Sequence, residues 1–121
     1  MPRHAHYIPH GVIPACLLPF NEDLSVDEAS YRAHLRDVCA TDGISAITVN
    51  GHSSEVASCT VDEQLKVLAI TQDEVGAKIP IISGVYADGS LEAARIARLA
   101  ADGGASALLV FPPNPFTGGQ R

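Results

Sequence analysis

The residues with the clearest capacity for chemistry stand together in one short run, Gly51-His52-Ser53-Ser54-Glu55, directly behind the β-branched stretch 44–49. A glycine lets a ligand approach the backbone, two adjacent hydroxyls donate and accept, and successive amides in a turn can hold a carboxylate or a phosphate. His52 has an imidazole that can move a proton near neutral pH. Spacing alone leaves a plainer reading open, in which Ser53 and Ser54 satisfy nearby amides and His52 is a surface side chain. A serine nucleophile served by His52 is disfavoured, because such pairs are assembled from separated elements and these two are neighbours; no G-x-S-x-G elbow is present. The run Gly84-Val85-Tyr86-Ala87-Asp88-Gly89 is not a dinucleotide fingerprint, and no phosphate-loop pattern occurs.

Other reactive side chains are weaker candidates. His4, His6 and His10 could chelate a metal, but they lie in the first ten residues with Pro2 and Pro9, and no cysteine or carboxylate stands beside them. Chains fray there, so residues 1–10 are predicted to be a flexible N-terminal tail and no metal site is expected. Tyr31 falls on an apolar helix face and reads as core, whereas Tyr86 follows a strand and can face a binding mouth. Cys16 and Cys59 lie close to loop ends without a cationic neighbour in sequence to lower a thiol pKa, so both read as buried and inert. Three cysteines, Cys16, Cys39 and Cys59, are an odd number set among apolar residues, which fits reduced thiols in a cytoplasmic protein.

The elements that must position the loop alternate in type. Residues 12–18 (VIPACLL) are apolar throughout, as in a strand buried on both faces, with Pro14 implying an edge or irregular position. Ser25 and Glu28 make an S-x-x-E capping box for a helix carrying Tyr31, Leu35, Val38 and Cys39 on one face, with Gly43 as its left-handed stop. A second strand, 44–49, precedes a second capping box, Thr60 and Glu63, and a helix with Val61, Leu65, Leu68 and Val75 ending near Gly76. A third strand covers 79–83. Ser90 then caps a helix with Ala93, Ile96, Ala97 and Ala100 on its apolar side, and a fourth strand covers 107–111. Each strand-plus-helix unit has the size of a βαβ step, roughly 30 residues.

Helical crossovers between buried strands imply a parallel sheet with right-handed connections, so the class is α/β. A doubly wound domain fits the length of 121 residues, but it calls for a fifth strand and a closing helix, where residues 116–121 read instead as a Pro/Gly loop. Four strands and three helices are the N-terminal half of a (β/α)8 TIM barrel, whose usual size is about 250 residues. The predicted organisation is therefore a tail over 1–10 and a partial barrel over 11–121, truncated after the fourth strand. Eight basic residues are scattered against fourteen acidic ones, for a net charge of −6, which argues against nucleic acid or an anionic membrane surface as partner. No apolar run approaches the roughly 18–20 residues of a spanning helix.

These residues together resemble the dihydrodipicolinate synthase / N-acetylneuraminate lyase family of class I aldolases. The opening Gly11-Val12-Ile13-Pro14-Ala15…Pro19-Phe20 is similar to the family's first strand, which typically ends in Thr-Pro-Phe. Gly51-His52-Ser53-Ser54-Glu55 falls where the family carries Gly-Thr-Thr-Gly-Glu, and Ile79-Pro80-Ile81-Ile82-Ser83-Gly84 resembles its third strand. The resemblance runs in register over nearly all of 11–120.

It implies a lyase or aldolase acting on pyruvate or another 2-oxo acid. A sixth-strand lysine forms the Schiff base, the Gly-Thr-Thr loop holds the substrate carboxylate, and tyrosines relay protons. On this basis His52 is the catalytic candidate and Gly51, Ser53 and Ser54 are the substrate-binding candidates, with no cofactor and a homo-oligomeric, cytoplasmic protein expected. Lys66 and Lys78 belong to a helix and to the connection behind it, so neither matches the Schiff-base lysine. The family's synthases have a tyrosine after the fourth strand, where this chain has Phe111-Pro112-Pro113-Asn114-Pro115. With a histidine replacing the loop's first threonine as well, the sequence points to a side branch of the family. The competing expectation is a non-catalytic truncated segment that functions only by assembling with a partner.

Overall fold

The computed structural model describes residues 2–113; the predicted Pro/Gly loop over 116–121 lies outside the described residues. In chain order the elements are α1 (Glu28–Cys39), β1 (Ile47–Val49), α2 (Val61–Val75), β2 (Ile81–Val85), α3 (Ser90–Asp102) and β3 (Ala107–Val110). Two single 3-10 turns, His52–Ser54 and Val56–Ser58, bridge β1 to α2. The strands pair in parallel in the order β1-β2-β3, with Ile47 opposite Ile81 and Ile82 opposite Ala107.

The first predicted strand is present as extended chain that lies parallel to β1 without a continuous ladder, joined by isolated bridges Val12↔Ile44 and Ala15↔Thr48. The Ser45 and Thr48 amides donate to the carbonyls of Val12 and Pro14, and the Cys16 amide returns a bond to Thr48. Pro14 has no N–H to offer, and the pairing thins around it. The arc thus has the predicted strand sequence, with its first member irregular.

Alternation along the strands separates two faces. Ile47, Val49 and Ile81 join Tyr31, Leu35, Val67, Leu68 and Ala100 in a core between sheet and helices. Thr48 and Ile82 instead line an opening of about 290 Å3 with Pro9, Ile13, Ala107, Leu108 and Leu109 on the concave face. Both edges of the arc are apolar and open: Val12 and Leu17 on one side, Leu108, Leu109 and Val110 on the other.

The helix boundaries correct several sequence expectations. The N-cap of α1 is Asp27, whose carboxylate accepts from the Ser30 amide at 3.1 Å, while the Ser25 hydroxyl turns back to Asp23. An aspartate one residue from the helix is better placed for the third amide than the serine two residues earlier. That bond from Ser30 holds the Asp27 carboxyl below the usual carboxylate range. Helix α1 closes on right-handed Ala40, and Gly43 takes its φ of +90° later, at the turn into β1. Ser90 is the first residue of α3 behind an N-cap at Gly89, without a side-chain cap. The Thr60–Glu63 capping box forms as predicted, with both reciprocal bonds present. The buried stripe of α2 is carried by Val67, Leu68, Ile70, Thr71 and Val75, whereas Val61 and Leu65 are only half-buried.

Polar contacts lock α1 to α2. Thr71 Oγ1 donates to the Val67 carbonyl and accepts from the buried Tyr31 hydroxyl at 2.7 Å; burial pushes the Tyr31 phenol pKa up. At the rim, Arg32 bridges Glu28, Asp73 and Glu74. Residues 3–10 lie against the N-terminal end of the sheet. Arg3 donates to the Gln72 carbonyl and His4 Nε2 to that of Gly76, supplying donors to the carbonyls that end α2.

Gly84 in β2 permits the closest backbone approach: a Cβ there would stand 2.0 Å from the Asn50 carbonyl oxygen. A rigid backbone atom cannot yield as a side-chain tip can. G84A is therefore expected to cost about 1–3 kcal/mol and to displace the chain after β1, read as a lowered urea midpoint together with shifted amide resonances at Asn50 and Gly51. A stability equal to that of the parent chain contradicts this packing.

Candidate functional site

The site begins where β1 ends. Asn50 adopts φ +55°, a left-handed conformation that asparagine tolerates better than other side chains. Its buried carboxamide donates to the Gln64 carbonyl at 3.0 Å and to Ser83 Oγ at 3.3 Å, tying the strand exit to α2 and β2. The chain then enters the turn His52–Ser54, in which the Ser54 and Val56 amides donate to the Gly51 carbonyl and the Glu55 amide to His52. Glu55, again at φ +55°, redirects it into the second turn.

The structure separates the four predicted site residues into three environments. Gly51 is buried, and a Cβ on it would meet Phe111 Cζ at 3.6 Å. His52 is exposed, its ring stacked on Phe111 at 4.1 Å and 17° and met edge-on by Tyr86 at 6.0 Å. Ser53 is exposed on the side of the first strand, where it lines a cavity of about 410 Å3 with Leu17, Leu18, Pro19, Ser30, His34 and Glu55. Ser54 points inward: it is 2% exposed and its hydroxyl donates to the Cys16 carbonyl at 2.6 Å. The Ser54 hydroxyl therefore anchors the turn to the first strand. His52 and Ser53 are the exposed members of the turn, and they carry the imidazole, a hydroxyl and two backbone amides. Among the described residues neither amide donates to a protein acceptor. Two such amides beside a hydroxyl can receive a carboxylate.

The remaining candidates fall away from this turn. His4 is bonded to Gly76 and His10 to the Ile8 carbonyl, and no group of three or more metal-ligating side chains forms among the described residues. All three cysteines are free thiols. Burial, with Cys39 nearby, pushes the Cys16 thiol up to about 12, as expected of an inert cysteine. Cys59 is raised as well, by burial and then by Glu63 and Glu55. Lys66 and Lys78 are exposed on α2 and before β2, away from the turn that follows β1.

Sequence reasoning missed Asn50 and the stacking role of Phe111. An asparagine closing a β-branched strand is a signal for a left-handed exit. The Phe111 contact depends on the β2–β3 register and has no local signature.

Fold and turn define one arc of a parallel (β/α) barrel, with its candidate site in the loop after the second strand position, at the carboxyl end of the sheet. Residues 8–118 match the Dihydrodipicolinate synthetase family, and the chain belongs to that family. The 4-hydroxy-tetrahydrodipicolinate synthase of Salinibacter ruber is 34% identical over 103 residues, covering 85% of this chain and 34% of that protein. The dihydrodipicolinate synthase structure from Aquifex aeolicus superposes with a TM-score of 0.76 at 29% identity, over 84% of this chain and 34% of that one. The 4-hydroxy-tetrahydrodipicolinate synthase of Methylacidiphilum fumariolicum SolV reaches a TM-score of 0.81 at 21% identity, over 88% and 35% of the two chains, a likeness of fold. The chain spans about a third of the length of the relatives it matches, and it corresponds to the N-terminal part of their TIM barrels.

Proposed function

We propose that this segment supplies the carboxylate-binding turn and a proton-transfer residue to a Schiff-base lyase acting on pyruvate or another 2-oxo acid. The observation that carries the reading is the turn at 51–54, where His52 and Ser53 are exposed and their amides have no acceptor among the described residues, while Ser54 and Asn50 tie the backbone to the first strand, α2 and β2. A carboxylate set against these donors gains charge-assisted bonds without reorganising the loop. The 2-oxo group is then presented to a lysine that lies outside these 121 residues, and His52 carries the proton that a hydroxyl relay carries in the family's synthases. Gly51 lies in the backbone directly under the ring of Phe111, where a Cβ would only touch it at van der Waals distance. A homo-oligomer in the cytoplasm suits this reading, given three unpaired cysteines.

In a polypeptide that carries the segment together with the barrel's remaining strands, S53A is expected to raise the pyruvate dissociation constant about tenfold or more, since a hydrogen bond to a charged group contributes about 1.5–3 kcal/mol. H52A is expected to lower turnover across pH 5 to 8 with less effect on pyruvate affinity. Calorimetry and steady-state kinetics read both; unchanged pyruvate binding in S53A, or full turnover in H52A, contradicts the respective role.

A second reading follows from the open edges of the arc: the 121 residues alone act, if at all, as an assembling segment. Half-exposed Leu108 and Leu109 and the more exposed Val12, Leu17 and Val110 invite pairing with further strands. Sedimentation of the isolated chain is expected to show self-association, and borohydride with pyruvate is expected to trap no adduct. A monodisperse, cooperatively unfolding monomer contradicts the first, and an adduct on Lys66 or Lys78 the second.

A further inference from the structure

The residue that follows β3 reaches the turn that follows β1. The Phe111 amide donates to the Val85 carbonyl at 3.0 Å, so its backbone prolongs the β2–β3 ladder and its ring is aimed from the rigid part of the sheet. That ring passes over Gly51, whose missing Cβ leaves 3.6 Å to Phe111 Cζ, and lies parallel to the His52 imidazole at 4.1 Å and 17°. Tyr86, the residue after β2, closes on the same imidazole edge-on. The residues that follow three consecutive strands thus each contribute one ring to a single cluster, and the loop histidine is its exposed member.

We propose that Phe111 is a positioning residue for His52, fixing the plane of the imidazole so that its ring nitrogens point toward bound 2-oxo acid. This rests on the functional reading above. The nitrogens of an imidazole exchange protons in the plane of the ring, so a stacked neighbour leaves both free while forbidding the rotations that would turn them away. Among the described residues neither His52 nitrogen has a hydrogen-bond partner, so no polar contact sets the ring's orientation. The stack with Phe111 and the edge contact with Tyr86 set it instead. A lone exposed histidine samples several rotamers; this one is held between two rings.

The test has two independent readouts in F111L and F111Y, both made in the polypeptide carrying the barrel's remaining strands. The first is the NMR shift of the His52 ring protons, which an adjacent aromatic ring moves upfield whether or not the protein is an enzyme. F111L is expected to lose that displacement and F111Y to keep it. The second is steady-state kinetics with pyruvate: F111L is expected to lower kcat about tenfold or more, with KM for pyruvate nearly unchanged, and F111Y to restore most of it. Ring-proton shifts that do not move in F111L overturn the stack. A lost stack with kcat intact overturns the positioning role, as does a parallel loss of kcat in F111L and F111Y. Absence of turnover in the unsubstituted protein, with the stack present by NMR, fails the functional reading itself and removes the positioning role with it.

Discussion

The arrangement depends on a sharp left-handed exit from β1. Asn50 turns the chain at φ +55° and passes its carbonyl so close to β2 that only glycine fits at position 84. The same residue's carboxamide reaches Gln64 on α2 and Ser83 on β2, so one side chain joins strand exit, helix and neighbouring strand. Those polar groups are buried, and leaving such donors and acceptors unpaired costs about 1–3 kcal/mol each. The turn therefore has a single low-energy course. Everything that faces outward from it, His52 and Ser53 included, inherits its placement from that course.

Beneath the turn, two kinds of packing hold the arc. The helix-facing side is an apolar core around Tyr31, Leu35, Ile47 and Leu68, fastened by the Tyr31–Thr71 bond between α1 and α2. The concave side is different: Thr48, Ile82 and Ala107 look into open space that further strands fill in the family's complete barrels. The loop is thus supported from the helix side and by its neighbours in the sheet.

Much of this was legible in the sequence, and the reasons differ by residue. Strand-plus-helix units appear as alternating β-branched runs and helical apolar stripes, and Thr60 with Glu63 marks the start of α2 because both halves of a capping box lie within four residues. The start of α1 is ambiguous in sequence because Ser25 and Asp27 both offer side-chain acceptors, and only the geometry at Ser30 decides for Asp27. Ser54 could not be separated from Ser53 by type or spacing. One faces Cys16 and the other faces solvent because a 3-10 turn rotates successive residues by roughly 120°. Pro14, which lacks an N–H, marks its strand as irregular from sequence alone, and only isolated bridges join that strand to β1. The Phe111–His52 stack joins residues whose strands are separated by a third, and nothing local to either encodes it.

On the function proposed for this segment, the turn at residues 51–53 receives the carboxylate of a 2-oxo acid. A crystal structure of the segment joined to the barrel's remaining strands and soaked with pyruvate tests it most directly. The expected result is a pyruvate carboxylate with its oxygens about 2.7–3.0 Å from the amide nitrogens of His52 and Ser53 and from Ser53 Oγ, over the unchanged course of the turn. Pyruvate ordered elsewhere in the barrel, with those amides facing water, contradicts it.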